Sequence, residues 1–110
     1  MFKIIGLILF VINLSASEYD KEVRISCNIL INDYKNESLL NRMGKSFRDG
    51  FNKNSKYLRI DPIVDNYLIS LYQADACKTY QYSLHEYNIA DKVMQLMLKD
   101  MIKDGLIIKK

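Results

Sequence analysis

The chain has 110 residues, 49% of them apolar, with two cysteines, one histidine and a formal net charge of +3. That length holds one small domain, whose apolar core is marginal without a further staple. The nearly balanced charge gives no electrostatic reason to expect nucleic acid as a partner.

Residues 1–17 read as a secretory signal peptide. Lys3 supplies the positive start and residues 4–12 a nearly unbroken apolar run. Ser15-Ala16-Ser17 offers the small residues of a cleavage site, after Ala16 or after Ser17. The run is short for a spanning helix of about 20 residues, so a membrane association is expected only if the segment stays uncleaved. What remains is one domain over residues 18–110, periplasmic or secreted, with fifteen basic and thirteen acidic residues.

Residues 18–22 are charged and are expected to fray. Residues 23–31 carry two patterns. Val23, Ile25, Cys27, Ile29 and Ile31 alternate as in a strand, whereas Ile29, Leu30 and Tyr34 fit a helix. A lone strand would have no partner in a monomer, which tips the reading to helix. A polar turn over residues 32–38 follows, and it contains the sequon Asn36-Glu37-Ser38.

A second helix is expected over residues 38–49, with Leu39, Leu40, Met43 and Phe47 inward, Phe51 just beyond them at the same spacing, Gly44 at a close helix–helix approach and Gly50 as its stop. A third should run over residues 61–77. Asp61 can cap it, Pro62 suits its first position, and Ile63, Val64, Tyr67, Leu71 and Ala74 form a stripe. Ser83 and Glu86 read as a capping box that opens the last helix. Ala90, Val93, Met94, Met97 and Met101 form its inward face with Tyr87 beside them, and Gly105 ends it. The fold class is therefore all-α, a small compact bundle of three to four helices.

In an oxidising compartment Cys27 and Cys77 most simply form one disulfide; a redox pair and metal thiolates are the competing readings, without a C-x-x-C to support them. A closed loop of about 50 residues adds on the order of 4 kcal/mol in the chain-entropy model. That rivals the whole stability of a small domain.

No catalytic signature accompanies His85, which reads as a surface residue. The carboxylate pairs Asp61/Asp65 and Asp100/Asp104 read as solvated faces and dipole partners. Arg42, Lys45, Arg48, Lys53, Lys56 and Arg59 make a local basic stretch opposed only by Asp49. Met94, Met97 and Met101, with Phe47 and Tyr67, are the candidate binding surface, because methionine recurs on adaptable interfaces. Gap-filling in the core is the competing reading. No cofactor, metal site or enzymatic activity is expected.

Several features occur in a suggestive order: a leader, Cys27 near the start of the mature chain, Gly44-Lys45-Ser46-Phe47 in a helix, a polar loop, a helix ending in Ala76-Cys77, and a lysine-rich amphipathic last helix. This order resembles the HdeA-like family of small periplasmic acid-stress chaperones. The resemblance implies Cys27 and Cys77 as the disulfide pair and helical structure just after Cys27. It further implies a dimer at neutral pH that loosens in acid and exposes apolar surface to unfolding protein clients. Protonating the thirteen carboxylates near pH 2–3 would leave about +16, counting His85. The expectation from another class is a periplasmic immunity or inhibitor protein that binds one secreted toxin or cell-wall hydrolase.

Overall fold

A computed structural model describes residues 16–110. In chain order the elements are α1 (Ala16–Asn32), α2 (Glu37–Asn54), β1 (Leu58–Ile60), α3 (Asn66–Thr79), α4 (Ile89–Lys103) and β2 (Ile107–Lys109), with a 3₁₀ turn at Gln81–Ser83. Among the described residues the all-α expectation holds, with four helices, one disulfide and a minor two-stranded sheet. The leader expected over residues 1–17 lies outside the described residues, except Ala16 and Ser17, which open α1.

Residues 23–31 are helical. Val23, Cys27 and Leu30 are buried at four- and three-residue spacing, while Ile25 and Ile29 face outward, 51% and 41% exposed. Those two outward isoleucines produced the strand-like alternation. The fraying expected at residues 18–22 is also corrected, because Asp20 lies buried inside α1.

Asn36 opens α2 by accepting the Leu39 amide at 3.0 Å, while its own amide group donates to Asp33 at 3.2 Å. The helix does not stop at Gly50 but continues to Asn54. A mid-helix glycine costs about 1 kcal/mol, and the extra turn buries Phe51, worth about 1.5–3 kcal/mol. Phe51 stacks on Phe47 with ring centroids 5.8 Å apart. The close approach expected at Gly44 is present: a Cβ there would collide with the Asn66 backbone carbonyl.

The third helix starts later than expected. Asp61 caps no helix; its carboxylate accepts the Ile63 amide at 3.0 Å and its carbonyl accepts the Val64 amide at 3.0 Å, closing a turn. That carbonyl also takes a bond from Arg48 at 2.9 Å. Asp65 is the cap instead, accepting the Tyr67 amide at 3.0 Å. Pro62 falls in the turn, and Ile63, expected on the apolar stripe, is 88% exposed. The helix packs against all three others, so Ile69, Ser70, Gln73, Ala74, Ala76 and Cys77 are buried on a face broader than one stripe. The buried Ser70 hydroxyl is satisfied by donating to the Tyr67 carbonyl at 2.7 Å.

The segment after Gly105 holds β2, which pairs antiparallel with β1 in the register Leu58 with Lys109, Arg59 with Ile108 and Ile60 with Ile107. Gly105 makes the turn into it with φ +77°, and the Leu106 amide returns to the Met101 carbonyl at 2.9 Å. Backbone bonds from Asp61 to Leu106 and from Lys110 to Tyr57 extend the ladder at both ends, at 2.9 and 2.8 Å. The Lys110 ammonium donates to the carbonyls of Asn52 and Ser55 at the end of α2. A cation there complements the negative end of the helix dipole.

Candidate functional site

The start of the last helix is held by side chains of α1. Ser83 does not cap it. Residues 81–83 form the 3₁₀ turn, and α4 begins at Ile89 after Asn88, which adopts φ +62°. Asparagine tolerates this left-handed conformation better than most residues. The side chain of Asn88 makes no cap. Asp20 of α1 does so from a distance, accepting the Asn88 amide and the Ala90 amide at 2.9 Å each.

A helix begun at Ser83 would have given those two amides to the carbonyls of Leu84 and Glu86. The Glu86 carbonyl instead accepts the Arg24 guanidinium at 2.6 Å. Arg24 also lies 3.8 Å from the Asp20 carboxylate, an i, i+4 pair along α1. The Glu86 side chain pairs with Lys92 at 3.0 Å. That bond, followed by the ammonium's charge and a bond from Ser83, holds the Glu86 carboxyl below its usual range.

Asp20 is 6% exposed, so its bonds to the two amides form away from most of the solvent. A carboxylate at a helix N-terminus gains from the dipole as well as the bonds, up to about 2 kcal/mol in partly buried geometry. The junction can therefore link α1 to α4 in a charge-dependent way. The available sequence signal was the i, i+4 spacing of Asp20 and Arg24 on the face that also carries Val23 and Cys27.

The candidate binding surface is not a surface in this fold. Phe47, Met97 and Met101 are 4%, 1% and 0% exposed and belong to the core, while Met94 and Tyr67 are half-buried against it. An amphipathic stripe marks an inward face whether that face meets the rest of the chain or another protein; here it meets the rest of the chain. Tyr87, expected beside that face, is 72% exposed and precedes the helix.

His85 is exposed in the turn before α4. The basic stretch is partly committed to structure: Arg48 donates to the Asn66 side chain at 2.7 Å, and Lys45 pairs with Asp49 at 2.6 Å. Of the carboxylate pairs, Asp61 and Asp65 hold the turn and the cap of α3, and Asp104 accepts the Tyr72 hydroxyl. Among the described residues, no three or more histidine, cysteine or acidic side chains gather to hold a metal ion. Nor is any described helix long and apolar enough to cross a membrane.

Cys27 and Cys77 form the disulfide, with Cα atoms 5.2 Å apart and neither residue exposed. It ties α1 to α3 within two turns of the Asp20 junction, so α1 is fixed to one helix covalently and to another by charge. No protein-family model, no curated protein and no solved structure matches this chain.

Proposed function

We propose that the chain is an exported, non-enzymatic binding protein and, most concretely, an acid-stress chaperone of the HdeA-like kind that binds unfolding clients. The observation that carries this reading is the Asp20 carboxylate, which joins α1 to the start of α4 by two amide bonds. The charge of the acceptor strengthens both. In acid the chain approaches a charge of about +16, and self-repulsion favours opening. Loosening of the core would expose its buried methionines, Met97 and Met101, which offer an adaptable apolar face. The disulfide keeps α1 on α3 and limits the expansion.

The test is light scattering from an acid-unfolded client with and without the mature chain, at pH 2.5 and at pH 7. Suppression of aggregation at pH 2.5 alone is expected; equal scattering with and without the chain at pH 2.5 rejects the reading. Sedimentation velocity across the same range checks the homodimer that the resemblance implies at neutral pH.

A second reading is a periplasmic immunity or inhibitor protein for one toxin or cell-wall hydrolase. It is favoured by Tyr57, Tyr82 and Tyr87, which stand 68%, 92% and 72% exposed in the closed fold. Exposed tyrosines suit a protein interface at neutral pH. That reading expects one stoichiometric partner at pH 7, lost when Tyr82 and Tyr87 are changed to alanine.

A further inference from the structure

The two strands of the sheet have unlike outer edges. The bonds from Asp61 to Leu106 and from Lys110 to Tyr57 set the alternation. Tyr57, Arg59 and Asp61 turn their main-chain groups toward β2, and Leu106, Ile108 and Lys110 turn theirs toward β1. Leu58 and Ile60 therefore face away from β2, and side chains at the end of α2 meet them there. The Leu58 amide donates to the Ser55 hydroxyl at 3.1 Å, and the Ile60 amide to the Asn52 side chain at 2.8 Å.

By the same alternation Ile107 and Lys109 face away from β1. Among the described residues nothing bonds their two amides and two carbonyls. Buried main-chain groups are almost always paired, so these groups, in half-buried Ile107 and exposed Lys109, lie open to water. An open edge of this kind is a template for another strand.

Charge selects that strand. Lys109 and Lys110 stand at the far end of the edge, with Arg59 beside Ile108 on the neighbouring strand and Lys56 just before β1. Among the described residues no carboxylate forms an ion pair with any of the four. Asp61 and Asp104 lie at the opposite end of the sheet, where Asp61 holds its turn and Asp104 accepts the Tyr72 hydroxyl. A second copy would bring its own Lys109 and Lys110 to the edge, and like charges there oppose self-pairing. The face of the sheet away from the core offers Ile108, since Ile60 and Ile107 share the face turned inward. We propose that the outer edge of β2 binds an extended acidic segment of a partner protein as an added antiparallel strand, bonded through its main chain to Ile107 and Lys109, with an apolar side chain on Ile108 and a carboxylate beside Lys109. This goes beyond the acid-chaperone reading, which concerns the fold opened in acid, and does not depend on it.

The probe is the blocked peptide Glu-Glu-Val-Val-Thr, titrated at pH 7 into the disulfide-bonded chain and followed by amide NMR and hydrogen exchange. In the antiparallel register its second residue lies opposite Lys109, its third on Ile108 and its fourth opposite Ile107. Saturable shifts at Ile107 and Lys109 are expected, with exchange slowed at both amides. N-methylation of the fourth residue should weaken binding about tenfold, and N-methylation of the third, whose amide faces away, less than about threefold. Replacing both glutamates by lysine should weaken binding about tenfold at low salt. Lys109→Glu, at an exposed position whose amide is outside the β1–β2 ladder, should reverse that preference. An absence of saturable shifts overturns the proposal, as does equal loss from the two N-methylations or equal affinity for the lysine peptide. Protection of Ile107 and Lys109 that rises with protein concentration alone also overturns it, because the occupant is then a second copy.

Discussion

Asp20 caps the start of α4 from α1, with its carboxylate oxygen 2.9 Å from the amide of Ala90, seventy residues further along the chain. The other oxygen takes Asn88 at the same distance, so one side chain satisfies two of the amides that a helix start leaves open. Asp20→Ala should cost about 2 kcal/mol, the upper end of the range for lost caps, because the site is buried and Arg24 loses its counter-charge. Urea unfolding at pH 7 measures this. Hydrogen exchange should show protection lost first at Asn88 and Ala90, and an unchanged exchange rate at both would contradict the assignment.

The disulfide should carry a large share of the stability. Its sequence separation is 50 residues, which corresponds to about 4 kcal/mol of chain entropy. The double variant Cys27→Ala, Cys77→Ala is expected to lose about that much, read as a fall in the urea midpoint. Because neither cysteine is exposed, thiol reagents should reduce the native bond slowly and the urea-unfolded chain quickly.

The helix count and the Gly105 stop were legible in the sequence because they rest on short-range signals: apolar spacing and a glycine with positive φ. The cysteine pairing was legible from having only two cysteines in a chain with an apparent leader. The starts of α3 and α4 were not legible. The Asp61 amide bonds Leu106, and the amides of Asn88 and Ala90 bond Asp20, so partners far along the chain decide both boundaries. Gly50 reads as a stop locally, yet Phe51 stacking on Phe47 keeps the helix going. Three-residue strands are too short to show a period. Met97 and Met101 had the right face but the wrong occupant, since spacing does not tell a core from a docking surface.

Gly44 should respond to alanine against the helix-propensity trend. On an exposed helix face Gly→Ala gains up to about 1 kcal/mol. Here the new Cβ meets the rigid backbone of Asn66 where α2 and α3 cross. A loss of about 1–3 kcal/mol is expected, as for an overpacked core, with the Arg48–Asn66 bond disturbed as well. Thermal melts of Gly44→Ala beside Asn41→Ala, an exposed position on the same helix, separate the collision from any general effect on α2. Equal stability of Gly44→Ala and the parent chain would show that the helices do not approach this closely.

Tyr72 links α3 to the end of α4 by donating its hydroxyl to the Asp104 carboxylate. That bond, followed by partial burial and the negative charges of Asp104, Asp100 and Asp75, pushes its pKa from the ordinary 10.0 up to about 12. The neutral phenol is the form the fold favours. Its contribution to stability is therefore complete below pH 10, where the unfolded chain also keeps the proton, and it is lost as pH rises from 10 to 12. The exposed Glu86 acts in the opposite direction. Its lowered pKa adds stability above the unfolded value, and this fades as pH falls through the folded one. Selective labelling of tyrosine ring carbons and an alkaline titration should place the Tyr72 midpoint near 12, and Asp104→Asn should bring it back toward 10. A midpoint that stays near 12 in Asp104→Asn would mean that burial and the remaining carboxylates, rather than the bond to Asp104, set it.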